Sequence, residues 1–318
     1  MRKILPFKFD IPIETVNCVA FPLSIIYSNY DYADDWLFFN NLSLKYGTGA
    51  NDVTLDMPSH LNWACFEKRV LDILCFNIEK IVDEINDNRY VYFAVDEYYI
   101  PNRDNYGKNK FVHDILVYGY DMENEVFYTC GFDKNKRYSG QQLGFSIIKN
   151  AVSSASEYLQ ANSEDYEFYG PKNYFSLKLN MNMQQKYDTD RYGLINIFRE
   201  YLKGRVEYES SSCICYFGEL IYNEFSNNVR ALDDLRNWCI LKEHKQFMMN
   251  YIMTHYADLI DNIERAKAVI NNANLCLNLA IKWQIDKKEK TLNSLKNTLE
   301  LVHKGEVEIV TEMLSKLE

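Results

Sequence analysis

Two residues of this chain can do covalent chemistry if the fold brings them together, the cysteine Cys18 and the histidine His113. A histidine beside a cysteine takes the thiol proton and leaves a thiolate, which is the attacking form. A carboxylate that contacts the imidazole holds the ring in the orientation that this proton transfer needs. Each of these groups must be positioned by an element of secondary structure, which the surrounding sequence predicts.

His113 lies near the start of a predicted hairpin that extends from Phe111 to Asp133. Both arms are apolar and aromatic, and the four residues between them, Asp121-Met122-Glu123-Asn124, have the composition of a tight turn. A further predicted strand, Tyr90 to Tyr99, comes just before the hairpin. A single histidine on such a hairpin is structural more often than catalytic, so its neighbours decide the interpretation.

Three aspartates near these strands are candidates to orient the imidazole, and we expect Asp133 to do so. Asp133 ends the second arm of the hairpin, which returns beside the first arm. Asp121 ends the first arm about eight residues from His113, or roughly 26 Å at ~3.3 Å per residue, which is too far without a fold-back. Asp96, on the preceding strand, is the reserve candidate.

Cys18 is expected at the beginning of a buried helix. The apolar spacing from Val19 to Tyr27 is helical, and Pro22 has no amide hydrogen, so it is expected to fit a helix only within the first turn. The helix is therefore expected to begin very near Cys18, where the positive end of the helix dipole favours a thiolate. The competing interpretation is that Cys18 is one more small buried residue.

Composition limits the classes of function. The 318 residues are 47% hydrophobic, which is enough for a full core and fits two domains. A net charge of -10 argues against a general nucleic-acid binder. No apolar run predicts a membrane span, and the N-terminus lacks the apolar core of a signal peptide. The eight cysteines show no metal-binding spacing, since Cys213 and Cys215 stand too close for a zinc knuckle, so we expect reduced thiols in the cytoplasm and no metal.

The pattern changes near Asn180 and predicts an α+β domain over 1–180 followed by a mostly α-helical domain over 181–318. In the first domain, Asp31–Gly47 and Leu61–Ile85 are predicted helices and Tyr174–Leu179 is a predicted strand. From Asp190 onward the pattern is almost only helical. One helix carries a coiled-coil-like seam, which favours a helical hairpin within one subunit, with a dimer zipper as the alternative. The seam residues are Leu259, Ile263, Ala266, Ile270, Ala273, Leu277 and Ala280.

Several short motifs resemble the N-terminal domain of butirosin biosynthesis protein H and its relatives, over roughly residues 12 to 180. Their order and spacing together carry the resemblance, and a weaker similarity follows in the helical half. The motifs are Asn17-Cys18-Val19, Asp96-Glu97-Tyr98-Tyr99-Ile100-Pro101, Tyr106, His113-x-Ile115-Leu116-Val117-Tyr118-Gly119-Tyr120-Asp121 and Leu241-Lys242-Glu243-His244-Lys245.

The resemblance implies a papain-like cysteine protease fold, with Cys18 as nucleophile and His113 as base. It also implies acyl transfer in the biosynthesis of antibiotics or nonribosomal peptides. The acyl group would move from a carrier-protein thioester through a Cys18 thioester to an amine. No cofactor of the enzyme itself is expected, because the carrier's phosphopantetheine holds the substrate. The expected partners are an acyl or peptidyl carrier protein and the amine acceptor.

Two features depart from the papain-like pattern. Such enzymes usually place a glutamine shortly before the cysteine, and no glutamine precedes Cys18, so the oxyanion donor is a backbone amide, Asn17 or a distant group. The third triad residue usually stands on the strand after the histidine strand. The equivalent position here is about Cys130, and Asp133 is the first carboxylate beyond it.

Other functions stay open at this stage. A cysteine peptidase or a thioesterase would use water in the second step, and a scaffold protein would use the same fold without catalysis. Two basic clusters flank the hairpin and predict a local docking rim for an acidic carrier, and three tyrosines ahead of His113 predict an aromatic wall. The basic residues are Lys108, Lys110, Lys134, Lys136 and Arg137, and the tyrosines are Tyr98, Tyr99 and Tyr106.

Overall fold

A computed structural model of the protein describes residues 1–40, 44–47, 52–55, 65–71, 76–162, 174–180, 189–204, 206–209, 212–216 and 233–318. Residues 17, 18, 45–47, 52–55, 206–209 and 212–216 are described by their backbone alone. The strands are β1 Arg2–Ile4, β2 Leu44–Gly47, β3 Asp52–Leu55, β4 Phe66–Val70, β5 Tyr90–Asp96, β6 Val112–Asp121, β7 Val126–Phe132, β8 Tyr138–Gly144, β9 Phe175–Leu179, β10 Val206–Glu209 and β11 Ser212–Tyr216. The helices are α1 Asn17–Asn29, α2 Ala33–Asn40, α3 Ile78–Asn86, α4 Phe145–Ala161, α5 Arg191–Lys203, α6 Leu235–His255, α7 Ile263–Asp286 and α8 Glu289–Leu317.

These elements form two units that interleave in sequence. The first unit contains Met1–Ile11, Ala20–Asp31 and Ser59–Gln185, and the second contains Pro12–Val19, Tyr32–Pro58 and Lys186–Glu318. The helix α1 therefore contributes its first turn to the second unit and the rest to the first. The chain is α+β, as its composition and pattern predict, with an antiparallel open sheet in the first unit and helices in most of the described C-terminal part.

The first unit is built on a seven-stranded sheet with the order β4-β9-β5-β6-β7-β8, in which β1 also pairs with β6. Every pairing is antiparallel. The long strand β6 pairs with β5 along its first half and with β1 along its last residues. Close approach of β1 requires a glycine at 119, since a Cβ there would stand 2.8 Å from the Lys3 carbonyl oxygen.

Helices α1 and α4 pack on this sheet. Phe21 of α1 lies edge-on to Tyr92 of β5, and the Ser24 and Tyr138 hydroxyls are 3.0 Å apart. On α4, Ala155 and Leu159 bury Ala94 of β5 and Val112 of β6 in one apolar cluster. These contacts hold β5 and β6, the strand that carries His113.

The predicted start of α1 near Cys18 is confirmed, because the helix begins at Asn17. Pro22 is its sixth residue and so falls in the second turn rather than the first. Proline has no N–H, so residue 22 supplies no amide donor to the carbonyl oxygen of Cys18.

Two of the predicted helices are partly wrong. Residues 66–70 of the predicted helix 61–85 form β4, and the helix α3 begins only at Ile78, where the Asn77 side chain accepts hydrogen bonds from the Glu79 and Lys80 amides. Pairing of β4 with β9 overrides the local helical period there. Likewise α2 ends at Asn40, and Leu44–Gly47 is strand β2.

The second unit combines helices α2 and α5–α8 with a four-stranded antiparallel sheet of order β10-β11-β2-β3. The strands β10 and β11 correct the expectation of helix alone after Asp190. Helix α2 packs on α6, where the Phe38 ring stacks on Tyr251 at 4.2 Å and the Tyr251 hydroxyl donates to Asp35 at 2.7 Å.

The predicted seam on α7 is partly right. Its alanines Ala266, Ala273 and Ala280 are buried, but Ile263 is 40% exposed. The other buried residues of α7 are Val269, Cys276 and Trp283, which the predicted seam did not include. Helices α7 and α8 form a hairpin that turns at Lys287 in the left-handed region. The seam thus serves packing within the chain, and a dimer through these helices stays a prediction. Across the described residues, none of the helices is long and apolar enough to cross a bilayer.

A buried ionic cluster fixes α3 to the edge of the first sheet. Glu84 and Arg89 are each 1% exposed, and the Ser176 hydroxyl of β9 donates to Glu84 at 2.7 Å and accepts from Arg89 Nε at 2.9 Å. Although burial works to raise it, the pKa of Glu84 is lowered by hydrogen bonds from Ser176, Lys80 and Arg69. The carboxylate form is therefore the one that holds the cluster together.

The substitution Glu84→Gln is expected to lower the free energy of unfolding by about 3 kcal/mol, because it removes the buried carboxylate that Ser176, Arg69, Lys80 and Arg89 share and leaves Arg89 with Glu67 alone. A lowered folded pKa means that this stabilisation is present at neutral pH and is lost as the pH falls through that pKa. Urea unfolding at pH 7 and at acidic pH measures both effects. The matched control is Glu79→Gln, an exposed residue of the same helix. Equal stability of the two variants at pH 7 would contradict the assignment.

Candidate functional site

The position of His113 is set by the register of β5 against β6. Val95 faces His113 and Asp96 faces Val112 across this pair, so His113 is the second residue of β6, at the end where β5 stops. Its side chain is 30% exposed, and the Phe111 ring stacks beside the imidazole with centroids 5.5 Å apart. The imidazole is therefore partly accessible to solvent.

Glu97 is the carboxylate that the chain brings to this imidazole. As the chain leaves β5, Asp96 caps a 3-10 turn over Glu97–Tyr99, and the Glu97 amide donates to the Phe111 carbonyl at 2.8 Å. These contacts bring Glu97 Oε1 to 3.8 Å from His113 Nδ1. That separation is an ion-pair distance and is longer than a hydrogen bond.

Two further side chains hold Glu97, which is only 7% exposed. Asn105 Nδ2 donates to Glu97 Oε2 at 3.1 Å, and Arg103 Nη1 lies 3.8 Å from Glu97 Oε1. Both come from the loop between the 3-10 turn and β6. A buried carboxylate with a cation and an amide beside it is held in one orientation, which is what a residue that orients an imidazole requires.

Arg103 is itself packed against the end of β7. Its Nη1 donates to the Phe132 carbonyl at 2.5 Å, and Gly131 has φ +154°, with an ideal Cβ only 2.1 Å from Arg103 Nη2. Burial lowers the pKa of Arg103, while Glu97 acts in the opposite direction. Glycine at 131 is therefore required both by the backbone conformation and by the guanidinium.

The three aspartates that the sequence singled out act as caps of turns. Asp133 Oδ1 accepts from the Asn135 and Arg137 amides at 2.7 and 3.0 Å, and hydrogen bonds from these amides lower its pKa. Asp121 accepts from the Glu123 and Asn124 amides in the β6–β7 turn.

Asp96 accepts from the Tyr98 and Phe111 amides and from the Ser154 hydroxyl. In the described chain, none of these hydrogen bonds joins an aspartate to His113. The role of Asp133 as the orienting residue stays a prediction, and the geometry favours Glu97. Sequence reasoning missed Glu97 although it follows Asp96 directly, because only the 3-10 turn directs it toward His113.

Cys18 lies in the first turn of α1, and its side chain is outside the described residues. Its backbone belongs to the second unit and His113 to the first. Pairing of Cys18 with His113 therefore stays a prediction. The cysteines whose side chains are described are poor nucleophiles, because burial raises the thiol pKa of each one. These four are Cys65, Cys130, Cys239 and Cys276.

The surface beside His113 is aromatic and basic. Tyr98, Tyr99 and Tyr106 are 41%, 37% and 50% exposed, so part of each side chain faces solvent. The two basic loops meet each other: the Lys134 amide donates to the Asn102 carbonyl at 2.7 Å, and Lys136 Nζ pairs with Asp104 at 2.7 Å. Both loops thus flank the same end of the sheet as His113.

Among the described residues, no group of three or more histidines, cysteines and carboxylates is arranged to hold a metal ion. In comparisons with known proteins, no family model matches this chain and no curated protein shows significant similarity to it.

Glu97 and Asp133 can be distinguished by nuclear magnetic resonance of ¹⁵N-histidine-labelled protein. Glu97→Gln is expected to shift the His113 Nδ1 resonance because it removes the charge 3.8 Å away. The matched substitution Asp133→Asn is expected to leave that resonance within its line width, and His113→Gln assigns the signal. A shift in the Asp133 variant with none in the Glu97 variant would restore Asp133 as the orienting residue.

Proposed function

We propose that this protein is an amide-forming acyltransferase with a papain-like catalytic unit. Cys18 is the nucleophile, His113 the base and Glu97 the residue that orients the imidazole. The acyl donor is a carrier-protein thioester, and the acceptor is an amine. The observation that carries most weight is the buried carboxylate of Glu97 beside a partly exposed histidine on an aromatic and basic surface.

In the first step, the Cys18 thiolate attacks the carbonyl carbon of the thioester. A tetrahedral intermediate forms and collapses, and the carbon–sulfur bond to phosphopantetheine breaks. The leaving thiolate takes the proton that His113 had accepted from the Cys18 thiol, so His113 is neutral again for the second step. The acyl group is then held as a new thioester on Cys18. Thioester exchange is nearly isoenergetic, so the enzyme contributes positioning and stabilisation of the oxyanion. Backbone amides at the start of α1 are the candidate oxyanion donors, since no glutamine precedes Cys18. The Val19 amide is not among them, because it donates to the Val16 carbonyl at 3.0 Å.

In the second step, the neutral amine attacks the Cys18 thioester while His113 accepts its proton. Collapse of the second tetrahedral intermediate forms the amide and expels the Cys18 thiolate. Imidazolium forms transiently at His113, and the Glu97 carboxylate stabilises that charge. The exposed tyrosines Tyr98, Tyr99 and Tyr106 provide apolar surface that excludes water from the acyl group.

A hydrolase is the second candidate, because water in place of the amine would turn the same intermediate into a free acid. The choice of transfer rests on the exposed aromatic surface and on the resemblance to the butirosin protein H family. A scaffold without catalysis is the third candidate. A scaffold would not need a buried carboxylate, Glu97, beside His113.

The defining experiment incubates the protein with acyl-carrier thioesters and follows its intact mass. We expect an acyl adduct on Cys18 that disappears when a competent amine is added and yields the amide. Cys18→Ala is expected to form no adduct and to retain the fold by circular dichroism. Free acid that forms at one rate whatever amine is supplied would show a hydrolase. Normal turnover by Cys18→Ala would remove the nucleophile assignment.

The meeting of the two basic loops also supports a docking role. The chain is acidic overall, so a local basic rim gives an acidic carrier protein one preferred approach to the site. Asp104 pairs with Lys136 and lies 3.9 Å from Lys108, which holds the two loops together.

Charge reversal at Lys134 and Lys136 is expected to raise the KM for a carrier-bound substrate several-fold and to leave the KM for a small thioester mimic unchanged. The control is Lys149→Glu, an exposed lysine of α4 in the same unit. Added salt is expected to reduce the difference between wild type and the double variant, because exposed charges are screened. An equal effect on both substrates would exclude a docking role for these lysines.

A further inference from the structure

Three consecutive titratable residues of α6, Glu243, His244 and Lys245, have no part in the chemistry above, and two of them hold distant segments. Lys245 Nζ is fully buried and pairs with Glu306 of α8 at 2.6 Å. The Tyr201 hydroxyl of α5 lies 3.1 Å from Glu306 and 3.3 Å from Lys245. This cluster joins three helices of the second unit and fixes the middle of α6.

Glu243 reaches in another direction, to the segment that leads into α1. Its Oε2 accepts from the backbone amides of Glu14 and Thr15 at 3.2 and 3.3 Å, and its Oε1 accepts from the Thr15 hydroxyl at 2.8 Å. Both partners belong to Pro12–Val19, the part of the second unit that contains the first turn of α1. Thr15 stands two residues before Asn17, where α1 begins.

Burial of the Glu243 carboxyl group beside this segment disfavours its charged form. Burial is the largest effect and raises the pKa of Glu243 to about 7, and the charge of Glu14 adds to this, while the three hydrogen bonds oppose it. The Glu243 carboxylate is partly removed from water, and both of its oxygens accept hydrogen bonds from one short segment. This arrangement indicates that Glu243 holds the conformation of that segment.

We infer that Glu243 is a positioning residue for Cys18. Its carboxylate fixes the backbone at Glu14 and Thr15, which determines where α1 begins and how the amides of its first turn are ordered around the cysteine. The inference rests on the proposed role of Cys18 as nucleophile. It assigns to the helical part of the chain an indirect effect on that thiol, through contacts 228 and 229 residues apart in sequence.

The test measures the rate of alkylation of Cys18 by iodoacetamide against pH, followed by mass spectrometry of the Cys18 peptide. Glu243→Ala is expected to lower the rate constant at pH 7 about fivefold, the effect of losing a cap-type acceptor, and to raise the midpoint of the pH profile. Glu243→Gln keeps an acceptor oxygen without the charge, so its midpoint is expected to stay near that of wild type.

The two Glu243 variants separate positioning from simple electrostatics. If Glu243 acted through its charge alone, both variants would move the midpoint downward, because a negative charge disfavours a nearby thiolate. Thr15→Val against Thr15→Ser gives a second pair that removes or keeps only the hydroxyl, and it applies even if Glu243→Ala fails to fold. Gln246→Ala, an exposed residue of α6, is the matched control and is expected to have no effect.

Alkylation reports on Cys18 whether or not the protein transfers acyl groups. Loss of turnover in Cys18→Ala with wild-type alkylation profiles in Glu243→Ala and Thr15→Val would overturn this inference alone. Shifted profiles in a protein that forms no acyl adduct would support the inference and overturn the proposed function. A lower midpoint of the pH profile in both Glu243 variants would also overturn the inference that Glu243 positions Cys18.

Discussion

The register between β5 and β6 is the constraint on which the candidate site depends. Successive side chains of a strand point to opposite faces, so a slip of one residue would turn His113 away from its present surroundings. The register is held at its end by Asp96, which accepts hydrogen bonds from Tyr98, Phe111 and Ser154. One buried aspartate thus joins the end of β5, the start of β6 and helix α4. Glu97 is the next residue, so the hydrogen bonds of Asp96 also determine the position of Glu97.

Buried charges in this protein join elements that are far apart in sequence. Arg89 and Glu84 fix α3 to the edge of the first sheet, Lys245 and Glu306 join α6 to α8, and Glu97 ties the loop after β5 to His113. Each charge has a partner, so the cost of leaving water is offset by directed contacts. Hydrophobic packing alone would fix these elements less specifically, since apolar contacts have no direction.

Helix α1 has an unusual position in this organisation. Its first turn is grouped with the second unit and its remaining turns with the first, while Pro22 interrupts its hydrogen bonding near the start. Glu14 and Thr15 lie just before α1, and Glu243 accepts three hydrogen bonds from them. Under the proposed function, these contacts join helix α6 to the segment that leads to the nucleophile Cys18.

The sequence by itself determined the elements whose signals are local. The start of α1 near Cys18 follows from the apolar spacing, although Pro22 falls in the second turn and not in the first as expected. The hairpin of β6 and β7 follows from two apolar runs around a turn. Tertiary structure decided the rest, because pairing partners far apart in sequence override local periods. Strand β4 forms within a helical pattern since β9 pairs with it, and β2 forms within another since β11 pairs with it. The carboxylate beside His113 is also a feature that tertiary structure decided. Aspartates at strand ends cap turns because amides of neighbouring residues are close by, and only the folded turn after β5 directs Glu97 to the imidazole.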